Sequence, residues 1–264
     1  MTFHAICSET LALGMIGLVG IFAAQLASAG DLRIGKCTDQ DGQCFVRYSG
    51  RIDFGDVKRF AELAKQKEIA QRLSLILDSE GGDVESAIAI GRIVRNLKAS
   101  VGVHASGKCY SSCIFVLAGG VVRWAGKESG PVGIHRPYLA ETRKSYDETQ
   151  RAHAVLELAA KAYLREMNVP DRLYDDMLRI PADRVRILTD KELEGYGLSG
   201  SDPVYADWVI GERAKQRGIT KEEFLRRRAL AESKCASLLR GIFDSNEGFA
   251  RWAKCDEEVF AGGR

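Results

Sequence analysis

Apolar and polar positions divide the chain into three stretches of different character. An apolar run covers Leu11 to Leu26 near the N-terminus. Through the middle, short apolar runs of strand length alternate with segments whose apolar residues recur every three or four positions. Leu73 to Leu77 is apolar enough for a strand covered on both faces, as parallel strands are. Glu80-Gly81-Gly82-Asp83 breaks it, and the stripe Ala87, Ile90, Val94, Leu97 predicts a helix over 83–97. Before this strand the spacing predicts a Cys-bounded hairpin from Asp31 to Ser49, turning at Asp41-Gly42, and a helix over 54–70. After it come strands at 100–104, 121–124 and 132–135, and helices over 111–118 and 142–167, the second ending near Val169-Pro170. Residues 184–188 read as a short strand, and Thr189-Asp190-Lys191-Glu192 opens a helix, with Asp190 as its expected N-cap.

Beyond Pro203 the pattern is helical only, over 204–217, 220–241 and 245–259, with Thr220 to Glu223 forming a capping box. Alternation in the middle implies a mostly parallel sheet with helices on its faces, followed by a helical appendage. At 264 residues, 45% hydrophobic and 28% charged, the chain suits one large α/β domain with such an extension. The net charge is +2 and no basic block suggests nucleic acid; Arg226, Arg227 and Arg228 read as a solvated helix face.

The first stretch reads as an export signal. Its apolar core is shorter than the roughly 20 residues of a spanning helix, and Ala27-Ser28-Ala29 ends it as a small-x-small cleavage site. Its n-region departs from the usual pattern in lacking Lys and Arg. Residues 1–29 are therefore expected to be removed and the protein exported, to the periplasm by preference, with membrane association only if the segment is retained.

Six cysteines then remain: Cys37, Cys44, Cys109, Cys113, Cys235 and Cys255. An even number in an exported chain suits disulfides. Pairing of sequence neighbours gives 37–44, 109–113 and 235–255, one of fifteen connectivities. Zinc is the alternative, but the spacings are not those of usual ligand knuckles.

Two glycine turns and one histidine carry the candidate chemistry. Gly81-Gly82 follows a buried strand and opens a helix, leaving backbone N–H groups for an anion or oxyanion. Ser111 lies 29 residues after Gly82, where a strand turns into a helix, and His135 lies 24 residues further on. Each alone has an ordinary explanation as a turn, an N-cap or a structural histidine. Together, Gly81-Gly82, Gly107-Lys108-Cys109-Tyr110-Ser111 and His135-Arg136-Pro137 resemble the Clp protease proteolytic subunit, within the Clp/crotonase superfamily. The likeness continues through Phe115 to Gly120, Val132 to His135 and Glu192 to Leu198, and covers about residues 45–202.

The resemblance implies a Clp protease/crotonase-like domain of repeated β-β-α units, taken as residues 30–202 with the N-terminal hairpin included; the helical extension over 203–264 lies outside the resemblance. It implies Ser111 as nucleophile, His135 as general base, and the N–H groups of Gly82 and Ser112 as oxyanion donors. Register places Ser111, not Ser112, at the nucleophile position. The family's aspartate falls on Val185, so the pattern fails there. Asp183, two residues earlier, is the candidate acid; another residue, or none, stays open. Cys109 and Cys113 are expected to bond and stiffen the turn. The implied activity is cleavage of peptides or unfolded proteins by a homo-oligomer; expected export away from any ATPase partner makes that cleavage ATP-independent, and no cofactor, metal or nucleic acid is expected. Three other readings share the scaffold: a crotonase-type enzyme, a catalytically inactive exported interaction module, and a signal-peptide peptidase using a lysine base such as Lys108 or Lys127.

Overall fold

The computed structural model describes residues 30–37, 43–70, 73–138, 145–241 and 246–262. The expected export signal, the Asp41-Gly42 turn and the expected helix start at Thr142 lie outside the described residues. In chain order the first elements are β1 (Asp31–Cys37), β2 (Cys44–Ile52), α1 (Phe54–Lys65), α2 (Lys67–Ala70), β3 (Leu73–Gly82), α3 (Val84–Asn96), β4 (Ser100–Val103) and β5 (Cys109–Tyr110). There follow α4 (Cys113–Gly119), β6 (Val122–Trp124), β7 (Val132–Ile134), α5 (Tyr146–Glu166), α6 (Arg172–Leu178), β8 (Arg186–Ile187), α7 (Asp190–Gly195) and β9 (Gly200–Ser201). Helices α8 (Pro203–Gln216), α9 (Lys221–Lys234) and α10 (Asn246–Gly262), with a 3-10 segment over Ala236–Gly241, complete the chain.

The central strand, β3, is shared by two branches of sheet. Its first half pairs in parallel with β2 on one side and β4 on the other. Its far end turns to β5, Ser79 opposite Cys109, and β5 carries β7 in parallel and then antiparallel β8. β4 carries parallel β6 and antiparallel β9, while β1 closes the other side as an antiparallel hairpin with β2. The mixed α/β class with a mostly parallel sheet and C-terminal helices is as the sequence predicts.

Burial explains why these segments take these forms. Leu73, Leu75 and Leu77 point one way into the core and are almost wholly covered, and every residue of α4 is buried. α3 packs closely on both α4 and α5: a side chain at Gly91 would crowd Phe115 O of α4 and overlap the hydroxyl of Tyr163 of α5, which itself donates to Phe115 O at 2.6 Å. Buried Arg123 donates to Gly120 O, Ala118 O and Met167 O, satisfying carbonyls where α4 and α5 end. Asp202, the N-cap of α8, faces Arg95 at 3.1 Å and Arg123 at 3.6 Å, so one buried charge cluster ties the sheet domain to the start of the helical extension. The extension has an apolar cluster of its own, built on Ala214, Phe224, Ala231, Val259 and Phe260.

Three disulfides join sequence neighbours: Cys37–Cys44 across the hairpin, Cys109–Cys113 around the β5–α4 turn, and Cys235–Cys255 between α9 and α10. Several boundaries differ from expectation. β3 continues through Gly81-Gly82 because both still pair with β2. The 54–70 helix is interrupted at Gln66, and the 220–241 helix ends at Lys234, going over to the 3-10 form. Asp190 is not the cap of α7: Thr189 accepts from Glu192 N, and Glu192 bonds back to the Thr189 backbone. At α9, Thr220 accepts from Glu223 N, but the Glu223 carboxylate goes to Arg226 and Arg227 instead of closing the box.

Candidate active site

The turn from β5 to α4 holds Ser111 in a conformation that side chains seldom adopt. Its φ is +56°, in the left-handed region, at a cost of about 1–2 kcal/mol for a residue with a Cβ. The surroundings enforce it: Ser111 N–H donates to Gly133 O at 2.9 Å, and Ile114 N–H donates to Ser111 O at 3.2 Å. The Cys109–Cys113 disulfide, with both half-cystines fully buried, clamps the same five residues. A serine forced into such a strand-to-helix turn is lifted out of the regular ladder, as nucleophiles on sharp elbows are.

His135 arrives from the neighbouring strand. β5 and β7 pair in parallel with Cys109 opposite Val132 and Tyr110 opposite Gly133, so Ser111 and His135 leave adjacent strands at the same end. Paired strands lie about 4.8 Å apart. Both residues are only 8% exposed, and both line one cleft of about 460 Å³ together with Gly82 and Pro137. Ser112 is fully buried and is not part of that lining, so Ser111 is the serine presented to the cleft. Among the described residues, no hydrogen bond joins the Ser111 hydroxyl to the imidazole; catalytic contacts of this kind often tighten only around substrate. Lys108 and Lys127, the lysines weighed as alternative bases, do not line the cleft.

The imidazole's own partner is a backbone oxygen. His135 Nδ1 lies 3.0 Å from the carbonyl oxygen of Arg136. A carbonyl can only accept, so the proton of the neutral ring sits on Nδ1 and Nε2 keeps its lone pair, the tautomer a general base requires. That carbonyl is itself anchored, since Arg136 N–H donates to Ile180 O at 2.9 Å and Arg136 Nε donates to Leu178 O at 2.8 Å. Asp183, the expected acid, sits exposed in the turn before β8, outside the cleft lining. Val185, the register position of the family's aspartate, lies next to β8 and is 43% exposed. The structure thus brings Ser111, His135 and Gly82 together and leaves Asp183 out. Sequence reasoning missed the Arg136 carbonyl because a main-chain acceptor leaves no trace in residue identity.

Gly81 and Gly82 are required by close approach. Gly81 has φ +92°, and a Cβ there would stand 2.7 Å from Tyr110 O and 2.8 Å from Ser111 Cβ. Gly82 has φ +153°, and its Cβ would overlap the Ile52 carbonyl. The glycines let β3 pass directly behind the serine turn. Of the two expected oxyanion donors, the Gly82 N–H is occupied in this structure, donating to Ser112 Oγ at 2.7 Å. Ser112 therefore does not cap α4 with its hydroxyl, although it stands at the N-cap position. Among the described residues, the cleft wall carries Asp53, Glu80, Asp83 and Glu85 against a single cation, Arg51, with the exposed rings of Phe54 and Tyr138 beside them. Asp53 and Asp83 are committed to capping α1 and α3.

Taken together, the forked parallel sheet, the strained serine turn and the histidine on the next strand define a Clp protease-type scaffold. The Clp protease family model matches residues 57–201, more than half of the chain, and the chain belongs to that family. Among solved structures it is similar to a mutant of the 1510-N membrane-bound stomatin-specific protease, at 17% identity and a TM-score of 0.44 over 58% of this chain and 75% of that one. No curated protein matches the sequence.

Proposed function

We propose that the chain is an exported serine peptidase that cleaves peptides or unfolded proteins by acyl transfer, without ATP. The observation that carries this reading is the meeting of Ser111 and His135 in one cleft, with the imidazole held as the Nδ1–H tautomer by Arg136 O. His135 Nε2 takes the Ser111 proton as Oγ attacks the scissile carbonyl, and the imidazolium then returns that proton to the leaving amine. Water, deprotonated in turn by His135, releases the acyl group and restores Ser111. The oxyanion is received by backbone N–H groups at positions 82 and 112. Three disulfides suit an oxidising compartment and support export. A ring-like homo-oligomer is part of the proposal, on the family's pattern.

A fluorophosphonate probe tests the reading. Wild type is expected to label and to cleave an unfolded protein substrate, and Ser111→Ala to do neither while keeping its melting temperature. Folded wild-type protein that never labels favours a second reading, an inactive exported interaction module. The occupied Gly82 N–H and the absence of a Ser111–His135 hydrogen bond are what support that alternative.

A further inference from the structure

The contact between Ser112 and Gly82 has consequences for how the peptidase proposed above would turn over. The hydroxyl oxygen of Ser112 accepts the Gly82 N–H at 2.7 Å. It sits where a substrate oxyanion would have to lie to use the same donor. An N–H directed at one oxygen has little left for a second, and two oxygens cannot share the position. Ser112 is also fully buried, so an oxygen of water size reaches neither its hydroxyl nor its N–H. The N–H of Ser111 is already committed to Gly133 O. The donors that the reaction needs are therefore closed off in this structure, although the nucleophile itself lines the cleft.

The backbone is poorly placed to relieve this. Gly82 is paired with Ile52 of β2, and Asp83 N–H donates to Ile52 O at 2.9 Å, so the ladder fixes the direction in which the Gly82 N–H points. Release of the donor would then fall to the side chain, by rotation about its Cα–Cβ bond. Its hydroxyl does not cap α4, so that rotation breaks no helix contact.

We propose that the Ser112 hydroxyl is an internal stand-in for the oxyanion, a positioning residue that keeps the Gly82 donor occupied at rest and must swing aside before acylation. This rests on the peptidase reading. The contact is broken on the way to the tetrahedral intermediate, so its effect falls on the chemical step and not on substrate binding. Removing the hydroxyl is expected to speed the reaction about three- to tenfold, the rate equivalent of one hydrogen bond that no longer has to be broken.

The test compares full-length mature wild type and Ser112→Ala in fluorophosphonate labelling rate, in kcat and KM for a peptide ester, and in melting temperature. The expected result is faster labelling and higher kcat at unchanged KM. A second measurement is a crystal structure of wild type with a peptide boronate, in which a boronate oxygen is expected on Gly82 N with Ser112 Oγ displaced. Labelling of a folded Ser112→Ala protein that is unchanged or slower overturns the proposal, as does a boronate adduct with the Ser112–Gly82 contact intact. If neither protein labels although both fold, the peptidase reading itself falls and takes this proposal with it.

Discussion

His135 is oriented by the residue that follows it, its Nδ1 3.0 Å from the carbonyl oxygen of Arg136. In a serine–histidine pair the third group fixes the tautomer and stabilises the imidazolium. A carbonyl does the first fully and the second in part, through its dipole in place of a charge. Because Pro137 follows Arg136, the segment is stiff, and the two bonds from Arg136 to Leu178 O and Ile180 O tie it to the α6–β8 connection.

On the proposed reading Asp183, exposed and outside the cleft lining, is expected to take no part in catalysis. Asp183→Asn is expected to leave kcat/KM within about twofold of wild type, as for a surface substitution. Arg136→Ala, which keeps the carbonyl but loses the bond to Leu178 O, is expected to lower kcat about three- to tenfold, in proportion to one hydrogen bond. Steady-state kinetics of both variants on one peptide ester check the pair; a large loss on Asp183→Asn would return the aspartate to the triad.

The serine turn is expected to depend on its disulfide. A five-residue loop closed by Cys109 and Cys113 is worth about 2 kcal/mol on loop-closure grounds, and it restrains a residue held at φ +56°. The double variant Cys109→Ala/Cys113→Ala should unfold at lower urea and label more slowly with fluorophosphonate. Reductant added to folded wild type should act slowly, because both half-cystines are fully buried. Equal stability and equal labelling would show the bridge to be dispensable.

Much of this was legible in the residues, and the exceptions share a cause. Leu73 to Leu77, the Ala87–Val94 stripe and the long helix ending before Pro170 announce themselves because their periodicity persists over several positions. β5 and β9 are two residues each, too short for a period, and exist because neighbouring strands supply partners. α6 has only seven residues, and Leu173, Tyr174 and Met177 are its only buried positions. Within the site, Gly81-Gly82, Ser111 and His135 could be singled out because each chemistry needs that residue type. The Arg136 carbonyl and the Ser112–Gly82 bond could not, since one is main chain and the other depends on a rotamer.

The glycine pair gives a sharper test of geometry than of chemistry. A Cβ at position 81 meets Tyr110 O and Ser111 Cβ at under 3 Å, and the backbone there has φ +92°. Gly81→Ala is therefore expected to cost about 1–3 kcal/mol from the backbone conformation alone and to push the serine turn toward the cleft. Labelling at Ser111 should fall by far more than the loss in stability accounts for, measured at a temperature where the variant is still folded. Wild-type labelling in a destabilised variant would mean that the turn gives way elsewhere.

The buried charges at the foot of the extension make stability depend on pH in a definite direction. Burial by itself raises the pKa of Asp202. The bonds from Asn168 and the Tyr205 N–H, with the charges of Arg95 and Arg123, more than offset it and leave the carboxyl below its ordinary value. Burial, reinforced by Arg95, in turn lowers Arg123 to about 10, so Arg123 is still a cation near neutrality. A carboxyl depressed on folding contributes stability that is complete above the unfolded value of about 3.9 and fades as pH falls through the lower, folded value. Asp202→Asn removes the charge but keeps a side chain of the same shape. At pH 7 it should cost about 3–5 kcal/mol, because Arg123 is left buried without its counter-charge. The gap to wild type should narrow as the pH is lowered below about 4, where wild type begins to lose the same charge. Urea unfolding of both proteins from pH 7 down to pH 2.5 reads this directly. A gap that does not change with pH would assign the cost to packing at the N-cap of α8 instead of to the ion pair.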